Sequence, residues 1–438
     1  MTKYILMFLM LFYTLLCFRI NSLSEERDMR VRLIIQRIII MIMFIMCGVI
    51  LLNHRFSLTA LILFMVEILY LLVFPALFHT IYPLASGAIM NNMLLMLSMG
   101  FVMLERLNSG NAIKQFLIII GGSIAFFFIP PLIKQKKLLK KTGLIMAITG
   151  IGLLLVTLVL GKTSFGANIS FTIAGFTFQP SEFVKILFVL FVASFISRAK
   201  DIKTIVIASV IAGVHILILV ASTDLGSALI FFVVYLVMLY VGTGKITYSA
   251  IGAVLGAGAS VLAYNLFSHI KVRVLAWKDP WSDIDGKGYQ ITQSLFAMGT
   301  GGFFGLGLCK GYPESIPVVS KDFVFAAIAE EFGIIFGVCL ILVAVSIFLE
   351  IMKLASVCGN KMHRLITSGF GVMYIFQCFL TIGGVIKFIP STGVTLPFIS
   401  YGGSSIIMSF VMFAVFQGIF ISVREESNEK EKEKSQHI

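Results

Sequence analysis

Long apolar stretches separated by short polar turns fill almost the whole sequence. Each stretch is close to the roughly 20 residues that an α-helix needs to cross a bilayer. The pattern predicts thirteen such helices, at residues 4–20, 33–52, 58–80, 89–105, 116–133, 143–160, 183–198, 203–221, 226–243, 247–268, 323–352, 365–386 and 398–422. The sequence therefore predicts an all-α polytopic membrane protein.

Composition agrees with this fold class. Hydrophobic residues make up 59% of the 438 positions and charged residues only 13%, whereas a soluble domain carries about a quarter charged residues. The net charge of +13 would suggest nucleic-acid binding in a soluble protein, but basic cytoplasmic loops explain it here, so no nucleic-acid partner is expected. The six cysteines have no CxxC or CxxH spacing, so neither a metal site nor a disulfide framework is predicted.

The distribution of basic residues predicts the orientation of the chain. Dense groups of Lys and Arg follow the first, fifth, seventh and eleventh spans and occur again in the tail. Cytoplasmic loops are enriched in these residues, so we expect the tail to be cytoplasmic. The N-terminus and the long polar loop 269–322 are then extracytoplasmic. The tail from residue 424 consists mainly of Glu and Lys, and we expect it to be disordered.

Four polar segments share the predicted outer face, and two of them have irregular composition. Loop 269–322 contains a glycine-rich run, 301–307, without the GK[ST] of a P-loop, so its glycines are expected to allow tight turns or close helix packing. Segment 387–405 interrupts an apolar run with two prolines and three glycines and carries Ser400 and Tyr401. Irregular backbone at membrane depth is tolerated where it is buried in protein or lines a cavity, which favours a site wall.

Asp322 is the strongest candidate for a catalytic residue. It enters the eleventh predicted helix from the outer side, where it either caps that helix or acts as a catalytic carboxylate. Glu330 lies eight residues further on, about 12 Å along a helix, which is too far for a carboxylate pair of the glycosidase kind. Any chemistry at Asp322 would therefore use a single carboxylate.

The two other outer segments contain further charged candidates. Pro180 predicts a helix start in segment 166–185, and Glu182 and Lys185 are spaced to pair on one helix face. Lys185 would lie inside a span, where a charge requires a partner or a cavity. Asp224, in the last polar segment, either caps the following helix or contributes to a polar outer cavity.

Five motifs in this order resemble the SEDS family, which includes FtsW, RodA and SpoVE. They are FQPSEFVKI (178–186), DLGSALIF (224–231), DPWSD with GYQITQSLFAMGTGG (279–302), KDFVFAAIAEEFG (321–333) and STGVTLPFISYGGSS (391–405). The resemblance covers ten spans, about 89–423. It implies a division into extra N-terminal transmembrane helices (1–85), a SEDS-like core (86–423) and a tail (424–438).

The resemblance also implies an activity. SEDS proteins are peptidoglycan glycosyltransferases of the bacterial cytoplasmic membrane that polymerise lipid II, and a class B penicillin-binding protein is the expected partner. In this family the position of Asp322 is regarded as catalytic and that of Asp224 as needed for activity. Asp322 would be the general base for the 4-hydroxyl of a GlcNAc that attacks a chain held on undecaprenyl diphosphate. The residues expected to contact the substrate are Asp224, Lys185, Glu182, Lys114, Lys321, Ser400 and Tyr401.

Charge compensation and two departures from the family pattern leave alternatives open. The charge of the diphosphate would be neutralised by Lys185, Lys310, Lys321 or a divalent cation, Mg²⁺ or Mn²⁺. No other cofactor is expected. Many relatives have Arg and Trp where this chain has Asn168–Phe171, and Arg-Gln where it has Lys114 and Gln115. A lipid II flippase or other transporter, or a non-catalytic scaffold for a penicillin-binding protein, remains an alternative. The sequence does not distinguish division, elongation and sporulation.

Overall fold

The computed structural model describes residues 1–20, 26–135, 141–164, 167–173, 176–286 and 288–436. This part of the chain forms sixteen α-helices. They are α1 (Thr2–Ile20), α2 (Glu26–His54), α3 (Leu58–Ile81), α4 (Gly87–Leu107), α5 (Ser109–Ile133), α6 (Gly143–Leu160), α7 (Pro180–Arg198), α8 (Ile202–Ala221), α9 (Leu225–Thr243), α10 (Ile246–Leu266), α11 (Ser268–Lys278), α12 (Tyr289–Gly301), α13 (Val324–Phe332), α14 (Ile334–Val357), α15 (Lys361–Val385) and α16 (Gly403–Gln436).

Thirteen helices within the described ranges are long and apolar enough to cross a membrane. The number and the helical architecture predicted from the sequence are therefore confirmed. The three remaining helices, α11, α12 and α13, are shorter and lie between the tenth and eleventh spans. The segment predicted as a long polar loop is thus largely helical, and α12 buries Ile291, Ser294, Ala297 and Gly301 at helical spacing.

The eleventh predicted helix, 323–352, is wrong in its bounds because the chain breaks at Gly333. This glycine has φ +93° and separates α13 from α14. A Cβ at this position would come within 2.5 Å of the Gly305 nitrogen and the Phe303 oxygen. The interrupted backbone is satisfied by the glycine-rich run, since the Ile334 amide donates to the Gly302 carbonyl at 3.0 Å. The expected close packing of this run is confirmed.

A small antiparallel sheet precedes α7 and was not predicted. Its strands are β1 (Lys162–Ser164), β2 (Ala167–Ile173) and β3 (Phe176–Phe178), in the order β1-β2-β3. Strand β2 contains the stretch Asn168–Phe171, which departs from the family pattern. The side chains of residues 168–170 lie outside the described part of the structure.

The C-terminal tail also differs from the expectation. Instead of becoming disordered at residue 424, the chain continues α16 to Gln436. Glu and Lys are strong helix formers, and Glu426 and Lys430 have the i,i+4 spacing that supports an exposed helix.

The chain divides into two compact units. Unit 1 comprises Met1–Ile120, Val272–Glu350 and Gln377–Gly402, and unit 2 comprises Gly121–Lys271, Ile351–Phe376 and Gly403–Ile438. Of the predicted site residues, Asp322, Lys321, Lys114, Ser400 and Tyr401 belong to unit 1. Asp224, Glu182 and Lys185 belong to unit 2.

Buried polar contacts within unit 1 attach the first helices to α4. Tyr13 of α1 donates its hydroxyl to the Asn92 side-chain oxygen at 2.8 Å. Arg37 of α2 donates to the Asn91 side-chain oxygen at 3.0 Å. Tyr13, Asn91 and Asn92 are fully buried, so these bonds fix specific partners where packing of aliphatic side chains alone would not.

Candidate active site

Asp322 lies immediately before α13 but does not cap it. The capping position belongs to Phe323, and no side chain accepts a hydrogen bond from the first turn. Asp322 is partly exposed. In the described ranges, its carboxylate has neither a hydrogen bond nor an ion pair. The capping alternative is therefore wrong, and the carboxylate is available to a ligand.

The backbone just before Asp322 is held by the predicted residues Ser400 and Tyr401. The Ser400 hydroxyl donates to the Lys321 carbonyl, and the Tyr401 amide donates to the Ser320 carbonyl at 2.7 Å. Ser400 is buried. These two residues thus support the position of Asp322 through the main chain.

Segment 387–405 forms a wall beside the carboxylate. Gly393 has φ +73°, and a Cβ built on it would lie 3.7 Å from Oδ2 of Asp322. The irregular backbone is fixed to α15 because Gln377 donates to the Thr395 carbonyl and Thr381 donates to the Val394 carbonyl, both at 2.9 Å. The segment is therefore irregular backbone secured by protein contacts, as the sequence predicted.

Burial and two basic side chains set the acidity of Asp322. The protein packed around the carboxylate raises the pKa of Asp322 to about 6, and the positive charges of Lys321 and Arg273 partly oppose this increase. Arg273 of α11 also donates to the Ser391 carbonyl at 3.4 Å, within segment 387–405. Arg273 was not predicted as a site residue, because nothing in its local pattern separates it from other basic residues of the loop.

The predicted residue Lys114 is exposed on α5. Its neighbour Gln115 makes the contacts, donating to the Ser400 carbonyl at 2.9 Å and accepting from the Gly402 amide at 3.1 Å. Gln115 is buried. It therefore links α5 to the segment that holds the backbone before Asp322.

A buried ion cluster at Arg106 fixes α13, and sequence reasoning missed it. Arg106 of α4 donates to Glu331 at 2.9 Å, to Glu314 at 2.6 Å and to the Gly311 carbonyl at 3.1 Å. The side chains of Arg106 and Glu331 are 7% and 0% exposed. A charged residue at the end of an apolar span was the signal available in the sequence, but its partners lie more than 200 positions away.

In unit 2, Asp224 connects two helix starts. Its Oδ1 accepts from the Ser227 amide at 3.1 Å and caps α9. Its Oδ2 accepts from the Ser181 hydroxyl at 2.8 Å and from the Gln179 side-chain amide at 3.3 Å, at the start of α7. The capping alternative is confirmed, and the same carboxylate also orients the QPSE segment.

The predicted pairing of Glu182 with Lys185 is confirmed within unit 2. Lys185 donates to Glu182 at 2.7 Å, and their side chains are 3% and 9% exposed respectively. Both lie in the first turns of α7, where an unpaired charge would be costly. Lys185 is therefore already compensated by a carboxylate.

The described residues near Asp322 form no preassembled cluster of protein ligands for a metal ion. No group of three or more His, Cys, Asp or Glu side chains within the described ranges could hold a metal ion. The charged groups that act on Asp322 are Lys321 and Arg273, and two cations disfavour a third at the same carboxylate. Lys321 and Arg273 are the side chains that place positive charge next to this carboxylate.

Comparison with known proteins identifies the family. A family model for FtsW, RodA and SpoVE, described as "Cell cycle protein", matches residues 89–427. The peptidoglycan glycosyltransferase RodA of Mycobacterium tuberculosis is 31% identical over 369 residues, which cover 77% of this chain and 78% of that protein. The probable peptidoglycan glycosyltransferase FtsW of Tolumonas auensis is 33% identical over 287 residues, 62% of this chain and 73% of that protein.

Solved structures share the fold. A chain from a peptidoglycan synthase complex, in a study of the coordination of polymerization and crosslinking, has a TM-score of 0.66 and 24% identity and covers 78% of this chain and 98% of its own. RodA of Thermus thermophilus has a TM-score of 0.59 and 21% identity and covers 77% and 96%. Helices α1–α3 precede the matched region. The chain belongs to the SEDS family of FtsW, RodA and SpoVE proteins.

Proposed function

We propose that this protein is a peptidoglycan glycosyltransferase that polymerises lipid II, with Asp322 as the general base. The observation that carries the proposal is the Asp322 carboxylate, which has no partner in the described ranges and whose pKa is raised to about 6. The names of the related RodA and FtsW proteins support the same reaction class.

The proposed step is a single displacement at an anomeric carbon. The 4-hydroxyl of a GlcNAc attacks the anomeric carbon of the growing chain while the bond from that carbon to the diphosphate oxygen breaks. The hydroxyl proton moves to Asp322. A carboxylate with a pKa near 6 is a stronger base than an ordinary Asp near 3.9 and is still mostly deprotonated at neutral pH.

The leaving undecaprenyl diphosphate gains negative charge in this step. Lys321 and Arg273 provide positive charge next to Asp322, and placed cations of this kind stabilise a departing phosphate group. Lys185 is paired with Glu182, so its net contribution to diphosphate binding is smaller. Ser400, Tyr401 and Gln115 keep the main chain around Asp322 in place.

The same proposal includes an orientation and a partner. The Lys and Arg distribution supports a site on the outer face of the cytoplasmic membrane and a cytoplasmic C-terminus. The structural relative from a peptidoglycan synthase complex supports assembly with a crosslinking enzyme, for which a class B penicillin-binding protein fits. The process served is division, elongation or sporulation.

Polymerisation of labelled lipid II by the purified protein, alone and with its penicillin-binding protein, tests the proposal. Asp322→Asn keeps the shape but removes the base, so glycan product should fall at least about a hundredfold. Asp201→Asn is a matched control, because Asp201 also precedes a helix, is exposed and makes no side-chain cap. Wild-type product from folded Asp322→Asn would reject the mechanism, and a folded wild-type protein inactive in both settings would favour the scaffold alternative.

A further inference from the structure

A cavity in unit 1 lies among α2, α3 and α4, and none of the predicted substrate-binding residues lines it. Its wall includes Glu67 of α3 and Glu105 of α4, together with the rings of Phe44, Phe64 and Phe101. Arg55, at the end of α2, lies at its edge and is exposed. Two of the three helices belong to the N-terminal region before the family match.

Glu67 is the most unusual group in this cavity. It is 3% exposed in the middle of a membrane-spanning helix. Its Oε1 is buried without a hydrogen-bond partner, and no hydrogen bond or ion pair to Glu67 is present in the described ranges. Burying an unpaired carboxylate costs several kcal/mol, so a group that compensates Glu67 would stabilise the protein.

Glu105 likewise lacks a hydrogen-bond partner for part of its carboxylate. Its Oε1 accepts a hydrogen bond from the Ser109 hydroxyl at 2.8 Å, but its Oε2 is buried without a partner. Two carboxylates with free acceptor oxygens thus line one cavity. Arg106 also lines the cavity, but it is paired with Glu331 and Glu314, so the two glutamates still favour a cationic occupant.

The aromatic wall favours an organic cation. The Phe44 ring lies 5.5 Å from that of Phe64 and 6.2 Å from that of Phe101, measured between centroids. Carboxylates combined with aromatic faces are the usual means of binding organic ammonium groups. A metal ion fits less well, because the described residues contain no set of three His, Cys, Asp or Glu ligands.

We propose that this cavity binds an organic ammonium group, carried by an aminophospholipid or by a free amine. Glu67 and Glu105 accept hydrogen bonds from the ammonium, and Phe44, Phe64 and Phe101 contact it through their rings. Arg55 at the edge is placed to contact an attached phosphate. Apolar residues that α2 and α3 expose at the surface of the protein, such as Ile45 and Met65, provide a surface for acyl chains.

Ligand-dependent thermal stabilisation of the full-length protein in detergent tests the proposal. The probes are phosphatidylethanolamine, phosphatidylglycerol with the same acyl chains, and soluble phosphoethanolamine. We expect phosphatidylethanolamine to raise the unfolding midpoint and phosphatidylglycerol to have no comparable effect. Glu67→Gln removes one charge-assisted hydrogen bond, so the affinity for the amine should fall about 10- to 100-fold.

Two further variants keep the test decisive. Glu429→Gln changes an exposed carboxylate of α16 and should leave the response unchanged. Phe64→Leu keeps the cavity apolar but removes a ring, so it should weaken binding of the amine even if Glu67→Gln does not fold.

The outcomes identify the source of the ligand or reject the proposal. Stabilisation by the lipid alone supports a membrane source, and stabilisation by phosphoethanolamine as well supports a site for the amine itself. Equal responses of the wild-type protein to both lipids, or no response to any amine, would reject the proposal. Wild-type affinity in folded Glu67→Gln and Phe64→Leu would also reject it. The assay uses no lipid II, so its result is independent of the proposed polymerase activity.

Discussion

Asp322 combines partial exposure with a raised carboxyl pKa. It lies outside the spans and is partly exposed, yet the surrounding protein raises its pKa to about 6. The increase comes from burial, and Lys321 and Arg273 oppose it. A base must be deprotonated to accept a proton, so these neighbours set the pH range in which the residue can act.

The first prediction follows from this balance of charges. Polymerisation should lose activity as the pH falls through about 6, because Asp322 becomes protonated. Arg273→Gln removes a charge that favours the carboxylate and should move the acidic limb to higher pH. Initial rates of lipid II polymerisation at several pH values measure this limb.

Lys278→Gln is the control, since Lys278 is an exposed basic residue of the same helix, α11. The limb of this variant should coincide with that of the wild-type protein. An acidic limb that stays in place in Arg273→Gln would contradict the assigned role of Arg273. Whereas activity should fall as the pH is lowered, the effect of Asp322 on stability has the opposite pH dependence. Because its pKa is raised in the folded protein, its contribution to the free energy of unfolding is fully present below about pH 4 and is lost as the pH rises through about 6.

The second prediction concerns Arg106, whose buried charge is matched by two carboxylates. Arg106→Leu would leave Glu331, which is 0% exposed, without its cation. Removing one partner of a buried pair typically costs about 3–5 kcal/mol. Titration with SDS in mixed micelles should show this loss in the free energy of unfolding.

An exposed ion pair provides the comparison. Lys134 and Glu425 are 2.7 Å apart, a distance similar to those in the Arg106 cluster, but their side chains are 42% and 40% exposed. Lys134→Gln should therefore cost less than about 1 kcal/mol. Similar losses in the two variants would show that burial does not determine the contribution of Arg106.

At the scale of elements, the interruption between α13 and α14 positions the helix that begins next to Asp322. Gly333 combines a left-handed backbone conformation with a close approach to Gly305 and Phe303. The surrounding amides and carbonyls are paired with the run 302–307, including Gly307 with the Glu331 carbonyl at 2.8 Å. The break is therefore held by main-chain contacts rather than left flexible.

The third prediction tests this arrangement. Gly333→Ala should lower the unfolding midpoint and reduce polymerisation, because the strained φ costs about 1 kcal/mol or more and the new Cβ would collide with backbone atoms. Gly359→Ala is the matched control, since nothing lies within 4 Å of a Cβ there. Equal behaviour of the two variants in thermal unfolding would contradict the account of the break.

Sequence patterns predicted these elements unevenly, for physical reasons. Membrane spans follow directly from apolar length, so thirteen were predicted and thirteen are present in the described ranges. The break at Gly333 depends on contacts with a segment about 30 residues earlier, and a glycine within an apolar run does not reveal them. Likewise, the i,i+3 pair of Glu182 and Lys185 could be predicted, whereas the Arg106 cluster needed the tertiary structure.

At the scale of the whole molecule, the proposed chemistry requires a particular orientation in the membrane. Lipid II is polymerised outside the cytoplasmic membrane, so the segment with Asp322 must face outward. Groups of basic residues follow the first, fifth, seventh and eleventh spans and occur in the tail, which supports a cytoplasmic C-terminus. With thirteen spans, the N-terminus and the α11–α13 region then share the outer face.

The fourth prediction is a labelling pattern that depends on this topology. Five of the six cysteines are buried and Cys309 is partly exposed, so Cys309→Ser provides a background with little reactivity toward a membrane-impermeant maleimide. In that background, Ser282→Cys, in an exposed part of the outer region, should react in intact cells. Ser427→Cys, in the exposed end of α16, should react only after the membrane is permeabilised, because the reagent cannot cross the bilayer. The reverse pattern would place Asp322 on the cytoplasmic side, where no growing glycan chain is available, and the proposed polymerase activity would have to be abandoned even if the fold and its contacts were correct.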